Sequence, residues 1–93
     1  MNYREQLLQK INNLINGSWT VPEFEKQYYM FYIDQVPDEG LTDKEREFFG
    51  SVQEKLDYVV ENPPTEDRQY GYINYAEYVE WLKKGMEDFL KKK

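Results

Sequence analysis

The sequence predicts an all-α fold, an antiparallel four-helix bundle, on three observations. Four apolar runs recur at helical spacing, capping signatures open three of them, and turn residues or prolines close the first three. No stretch alternates with the period of two that a half-buried strand requires. With 93 residues and no linker-like segment, residues 1–93 read as a single helical domain around one core.

In the first run Tyr3, Leu7, Leu8, Ile11, Leu14 and Ile15 share a face, and Asn16-Gly17 supplies a pair that adopts the left-handed conformation ending a helix. This predicts a helix over residues 2–16. Thr20-Val21-Pro22-Glu23 then matches a capping box, in which hydroxyl and carboxylate satisfy each other's free backbone donors. Pro22 is tolerated in that first turn, and Trp19 and Phe24 stand in the hydrophobic-staple positions. The second helix is predicted over 21–35. Its core face is Phe24, Tyr28, Phe31 and Tyr32, yet the opposite face carries Tyr29, Met30 and Ile33. A helix apolar on nearly all sides is expected to be buried as the central member of the bundle; a homodimer contact or second binding surface is the alternative.

Pro37 and Gly40 interrupt the chain before a second capping box, Thr42-Asp43-Lys44-Glu45. Phe48, Phe49, Val52, Leu56, Val59 and Val60 follow, so a third helix is predicted over 43–61, stopped by Asn62-Pro63-Pro64. Residues 62–72 read as a polar, tyrosine-containing loop, within which 69–73 is the one plausible extended piece. Asn74 and Glu77 form the next cap, stapled by Ile73 and Tyr78, and open the run Tyr75, Tyr78, Val79, Leu82, Met86 and Phe89. The fourth helix is predicted over 75–90. Gly85 inside it marks either a close contact or early fraying. Lys91-Lys92-Lys93 complements the helix dipole.

The chain contains no Cys and no His, which removes disulfides, thiolate chemistry, the usual proton shuttle and the commonest metal ligand. No catalytic residue, cofactor or metal is therefore assigned, and the chain is not expected to be an enzyme. A calcium loop over Asp34–Glu45 fails on ligand spacing, because Val36 stands at its third position and Gly40 is one place late. No basic region followed by an apolar run opens the chain, and no segment approaches the length that spans a bilayer, so a soluble cytoplasmic protein is expected.

Formal net charge is −6, and residues 23–70 hold most of the excess, with thirteen acids and five bases. Carboxylates repel phosphate backbones and anionic lipid, which leaves a cationic protein surface as the natural partner. Projected at about 100° per residue, the third helix places Glu47, Glu54, Tyr58 and Glu61 opposite its apolar side, with Asp57 at the margin and Lys55 pointing to the other flank. Asp34, Asp38, Glu39 and Asp43 precede this stripe, and Glu66, Asp67, Tyr70 and Tyr72 follow it. Such a stripe is either a solvated face or a partner surface, in which aromatics give area and acids select a positive ligand. The other tyrosines have a core role as their alternative, whereas Tyr58 faces away from the apolar side. The candidate partner-binding set is Asp38, Glu39, Glu47, Glu54, Asp57, Tyr58, Glu61, Glu66, Asp67 and Tyr70.

Leu14-Ile15-Asn16-Gly17, Thr20-Val21-Pro22-Glu23-Phe24-Glu25 with Tyr28, Asp57-Tyr58, and Asn62-Pro63 before a final helix together resemble the colicin D-type immunity proteins. The resemblance spans roughly residues 7–90, and the second-helix segment is its most specific part; Gly85 and the terminal lysines depart from the pattern. It implies a cytoplasmic four-helix antidote of the bacteriocin or contact-dependent growth-inhibition kind. Such an antidote binds the basic carboxy-terminal nuclease domain of its cognate toxin one-to-one and masks the RNA-binding active site, touching neither nucleic acid nor membrane itself. The alternative from the residues alone is a regulatory or adaptor bundle that docks a partner helix through Tyr29, Met30 and Ile33.

Overall fold

The computed structural model describes residues 2–91; the side chain of Asp38 and the lysines at 92 and 93 lie outside what it describes. The chain is all-α. Its helices are α1 (Tyr3–Ile15), α2 (Val21–Asp34), α3 (Asp43–Lys55), the single turn α4 (Thr65–Arg68) and α5 (Tyr75–Lys91). Short 3-10 turns occupy Asp38–Gly40 and Leu56–Tyr58. No strand occurs among the described residues, where one isolated parallel bridge joins Val59 to Ile73.

Each long helix begins where a side chain satisfies a free backbone donor. Asn2 accepts from the Glu5 N–H at 2.8 Å. Thr42 and Glu45 form a complete reciprocal box at 2.9 and 3.2 Å, and so do Asn74 and Glu77 at 3.0 and 2.8 Å. The expected box at Thr20 is only half made. Its hydroxyl accepts from the Glu23 N–H, but the Glu23 carboxylate takes the Thr20 hydroxyl instead of the Thr20 N–H. At the other end of α1, Gly17 adopts φ +86°, its N–H reaches the Leu14 carbonyl, and the Trp19 N–H reaches that of Asn13.

α1 packs on α2 and α5, and α3 packs on the same two helices. Between them lies one core built from Leu7, Ile11 and Leu14 of α1, Val21, Phe24 and Tyr28 of α2, Phe49 and Val52 of α3, and Tyr78, Leu82 and Met86 of α5, closed by Leu41 and Leu56. Phe24 meets Tyr28 and Tyr78 at ring-centroid distances of 5.0 and 6.3 Å, so aromatic rings fill the centre.

Two expectations are corrected. α2 is not the buried central helix: Tyr29, Met30 and Ile33 are 50%, 55% and 51% exposed, because α1 and α3 cover only one side of it. The third helix does not reach residue 61. It tightens after Lys55 into the 3-10 turn and then extends, with Val60 donating to the Ile73 carbonyl at 3.0 Å and Ile73 to the Tyr58 carbonyl at 2.9 Å. Val59 and Val60 are β-branched and give up little by leaving the helix, and the paired backbone of Ile73 replaces the lost bonds. The extended character expected over 69–73 is therefore present at Ile73, while residues 69–71 turn back after α4. Gly85 does not fray α5: a Cβ added there would meet the edge of the Phe48 ring at 3.4 Å.

Candidate protein-binding surface

The backbone pairing of Tyr58 with Ile73 closes residues 59–72 into a loop whose two ends meet. Tyr58 and Tyr72 meet edge to face at 5.4 Å, and Gly71 turns with φ +95° beside the Tyr58 ring. Glu61, Glu66 and Asp67 are exposed along this loop, and Tyr70 stands 68% exposed at its return. Glu54 lies one helical turn before Tyr58. The structure brings Glu54, Tyr58 and Tyr70 together beside the carboxy-terminal end of α3, and Glu61, Glu66 and Asp67 are exposed along the loop that follows.

The other candidates lie elsewhere. Glu47 is two turns, about 10 Å, further back along α3, in a shallow groove with Lys44, Phe48 and Asp88. Glu39 is exposed in the 3-10 turn before α3, at the opposite end of that helix, with Asp38 beside it in the chain. Asp57 turns to the far flank and lines a groove against α2 with Glu25, Lys26, Tyr29 and Met30. The single stripe expected from uniform helical projection is accordingly broken at Leu56, because a 3-10 turn and an extended residue rotate Asp57 and Glu61 away from the line of Glu47 and Glu54.

A groove between α3 and α5 holds Glu54, Tyr58 and Tyr70 together with Ser51, Lys55, Gly71 and Trp81. Lys55 belongs to this groove and not to the opposite flank expected of it. Its ammonium stands 5.8 Å from the Trp81 ring centroid, within cation–π range. Trp81 and Lys55 were not among the sequence candidates, since Trp81 falls just outside the apolar run of α5. The available signal was its i+3 spacing from Tyr78, on whose ring it stacks at 5.8 Å.

Charge is distributed unevenly between the helices. On α5, Glu77, Glu80 and Glu87 contact a cation and, among the described residues, Asp88 does not; Asp43 and Glu45 in the first turn of α3 are also paired. Among the described residues Glu47, Glu54, Asp57, Glu61, Glu66 and Asp67 form no ion pair. Glu54 stands in the last turn of α3, where the helix dipole makes a carboxylate unfavourable, whereas Glu66 and Asp67 stand in the first turn of α4, where it favours them.

Comparison of the chain with protein-family models, with curated proteins and with solved structures finds no match.

The shifted proton affinities belong to two core tyrosines and to Glu77, which pairs with Arg68 of the loop. Burial, with the neighbouring phenols, pushes Tyr28 well above its ordinary range, and burial, with Glu25 nearby, pushes Tyr78 up as well. Both are core residues whose hydroxyls donate to α3 carbonyls. Glu77 is lowered by the Asn74 backbone N–H and then by the Arg68 side chain. No cluster of acids that could hold a metal occurs among the described residues, and no described helix is long and apolar enough to cross a membrane.

Proposed function

We propose that this chain is an immunity-type antidote, a cytoplasmic antiparallel four-helix bundle that acts by binding rather than turnover. Its partner is the basic nuclease domain of a toxin, bound one-to-one, and the acidic surface stands in for the RNA phosphates that the nuclease would otherwise hold. The observation that carries this reading is the groove that joins unpaired Glu54 to exposed Tyr58 and Tyr70, followed in the chain by the exposed and unpaired Glu61, Glu66 and Asp67. Glu54 sits in the last turn of α3, where a carboxylate costs stability, and an external cationic ligand would offset that cost. The resemblance of Thr20–Glu25, Asp57-Tyr58 and Asn62-Pro63 to colicin D-type immunity proteins supports the same assignment.

The test is association with a basic carboxy-terminal nuclease domain encoded beside this chain. The association rate should fall at least about tenfold between about 0.05 M and about 0.5 M salt, and the nuclease should be inhibited in the complex. Reversal of Glu54 and Glu61 to Lys should slow association further. Binding with no salt dependence, or binding untouched by the reversals, removes the basis of this reading.

A second reading is favoured by the exposure of Tyr29, Met30 and Ile33 on α2. An adaptor that docks a partner helix there loses binding on Ile33→Asp and keeps it on Glu54→Lys.

A further inference from the structure

In the groove between α3 and α5 a cation already covers the Trp81 ring, and that cation is the chain's own Lys55. The neighbouring carboxylate of Glu54 is exposed and forms no ion pair, and Lys55 likewise has no carboxylate partner among the described residues. Tyr58, 43% exposed, and Tyr70, 68% exposed, complete the aromatic lining of the same groove. We propose that this groove takes an arginine side chain of a basic protein partner, which displaces the Lys55 ammonium from Trp81 and pairs with Glu54. This deepens the antidote reading and rests on it for the identity of the partner.

Three features select arginine as the occupant. Charge complementarity is the first, since Glu54 offers a carboxylate that the fold leaves unused. Ring chemistry is the second: a planar guanidinium stacks on Trp and Tyr faces and forks onto a carboxylate, whereas an ammonium is a compact, strongly hydrated point charge. The third is the resident cation itself. Lys55 stands over the Trp81 ring, which shows that the indole attracts positive charge, while the buried Tyr78 ring stacks on the same indole. Lys55 is held there by the ring alone, and its long stem lets the head move into water when a better-matched cation arrives. Glu54 and Lys55 are neighbours in sequence and project from α3 in different directions, so they do not neutralise each other within the helix.

The test uses the full chain carrying Trp19→Phe, which leaves Trp81 as its one indole, and two probes: hexa-arginine and hexa-lysine peptides, titrated by indole fluorescence. Hexa-arginine should change Trp81 emission saturably and bind about fivefold or more tighter than hexa-lysine. Lys55→Met, which removes the resident cation and keeps the stem, should tighten hexa-arginine binding about three- to tenfold, and Glu54→Gln should weaken it by a similar factor. Equal binding of the two peptides, an unresponsive Trp81, or weaker binding on Lys55→Met overturns the proposal. These readouts are independent of the cognate nuclease. A nuclease domain that binds with the expected salt dependence but is indifferent to Lys55→Met sinks the arginine groove and leaves the antidote reading standing. Peptide binding as expected with no nuclease binding does the reverse.

Discussion

The Tyr78 hydroxyl donates a 2.9 Å hydrogen bond to the Val52 carbonyl at the point where α3 stops being an α-helix. The Leu56 N–H, which would continue the α pattern to Val52, is given instead to the Gln53 and Glu54 carbonyls. Tyr78 therefore serves a carbonyl that the tightening turn releases. Tyr28 makes a bond of the same length to Phe49, but that carbonyl lies a full turn inside α3, where the helix supplies a partner of its own. Tyr78→Phe should cost about 2 kcal/mol and Tyr28→Phe about 1 kcal/mol, because only the first strands a buried acceptor. Urea unfolding of the two variants checks the ranking, and equal losses contradict it.

The same two phenols set an alkaline limit. Both are raised above the ordinary tyrosine value of 10.0, chiefly by burial, so the folded chain retains protons that the unfolded chain releases. Their contribution is fully present below pH 10 and is lost as pH rises beyond it. The urea midpoint should stay level through mild alkali and then fall steeply. In the Tyr28→Phe, Tyr78→Phe double variant that fall should be shallower, and an unchanged slope excludes the two phenols as its cause.

Glu77 behaves in the opposite sense. It accepts from the Asn74 N–H and from Arg68, which lower its proton affinity in that order, so its stabilising effect is present above the unfolded value of 4.5 and is lost as pH falls through the lowered folded value. A carboxyl-selective NMR titration should place the Glu77 midpoint below the ordinary value of 4.5. Arg68→Ala should raise it only part of the way, since the backbone donor remains. Full restoration to the ordinary value would mean that the ion pair, and not the cap, dominates.

How much of this was legible in the sequence varied with the locality of the signal. The caps at Thr42 and Asn74 and the left-handed stop at Gly17 depend on residues within one turn of each other, and all three are where their spelling puts them. The end of α3 was not legible, because it depends on Ile73, fourteen positions downstream of Val59, arriving to pair with the backbone of Tyr58 and Val60 on either side of that residue. That one error propagated into the candidate surface: a straight helix over 43–61 aligns Glu47, Glu54 and Glu61, whereas the tightened turn sends Asp57 to the α2 side and Glu61 into the loop. Glu54, Tyr58 and Tyr70 share one groove because the loop closes on itself and returns Tyr70 to the end of α3. The exposure of Ile33 depends on the number of helices available to cover α2, which periodicity does not count.

Gly85 separates helix propensity from packing. α5 continues through it to Lys91, so the residue costs the helix about 1 kcal/mol relative to alanine. An added methyl would meet the Phe48 ring edge at 3.4 Å, which is ordinary contact with a side chain that the Phe89 ring already supports by stacking at 4.4 Å. Gly85→Ala should therefore raise stability by about 0.5 to 1 kcal/mol. A loss measured by thermal unfolding would show that Phe48 has no room to give.

Ile33 supplies the sharpest test of whether the open face of α2 is structural. Its side chain is 51% exposed beside Tyr29 and Met30, and the α2 residues buried in the core are Val21, Phe24 and Tyr28. A charge placed there is hydrated and disturbs no buried group, so Ile33→Asp should change the unfolding free energy by less than about 0.5 kcal/mol. Aspartate close to the carboxy terminus of α2 also opposes the helix dipole, which accounts for the small loss that remains within that bound. If the isolated chain instead loses several-fold more, the face is covered in solution, and sedimentation of the parent chain should then reveal a dimer that dissociates in the variant.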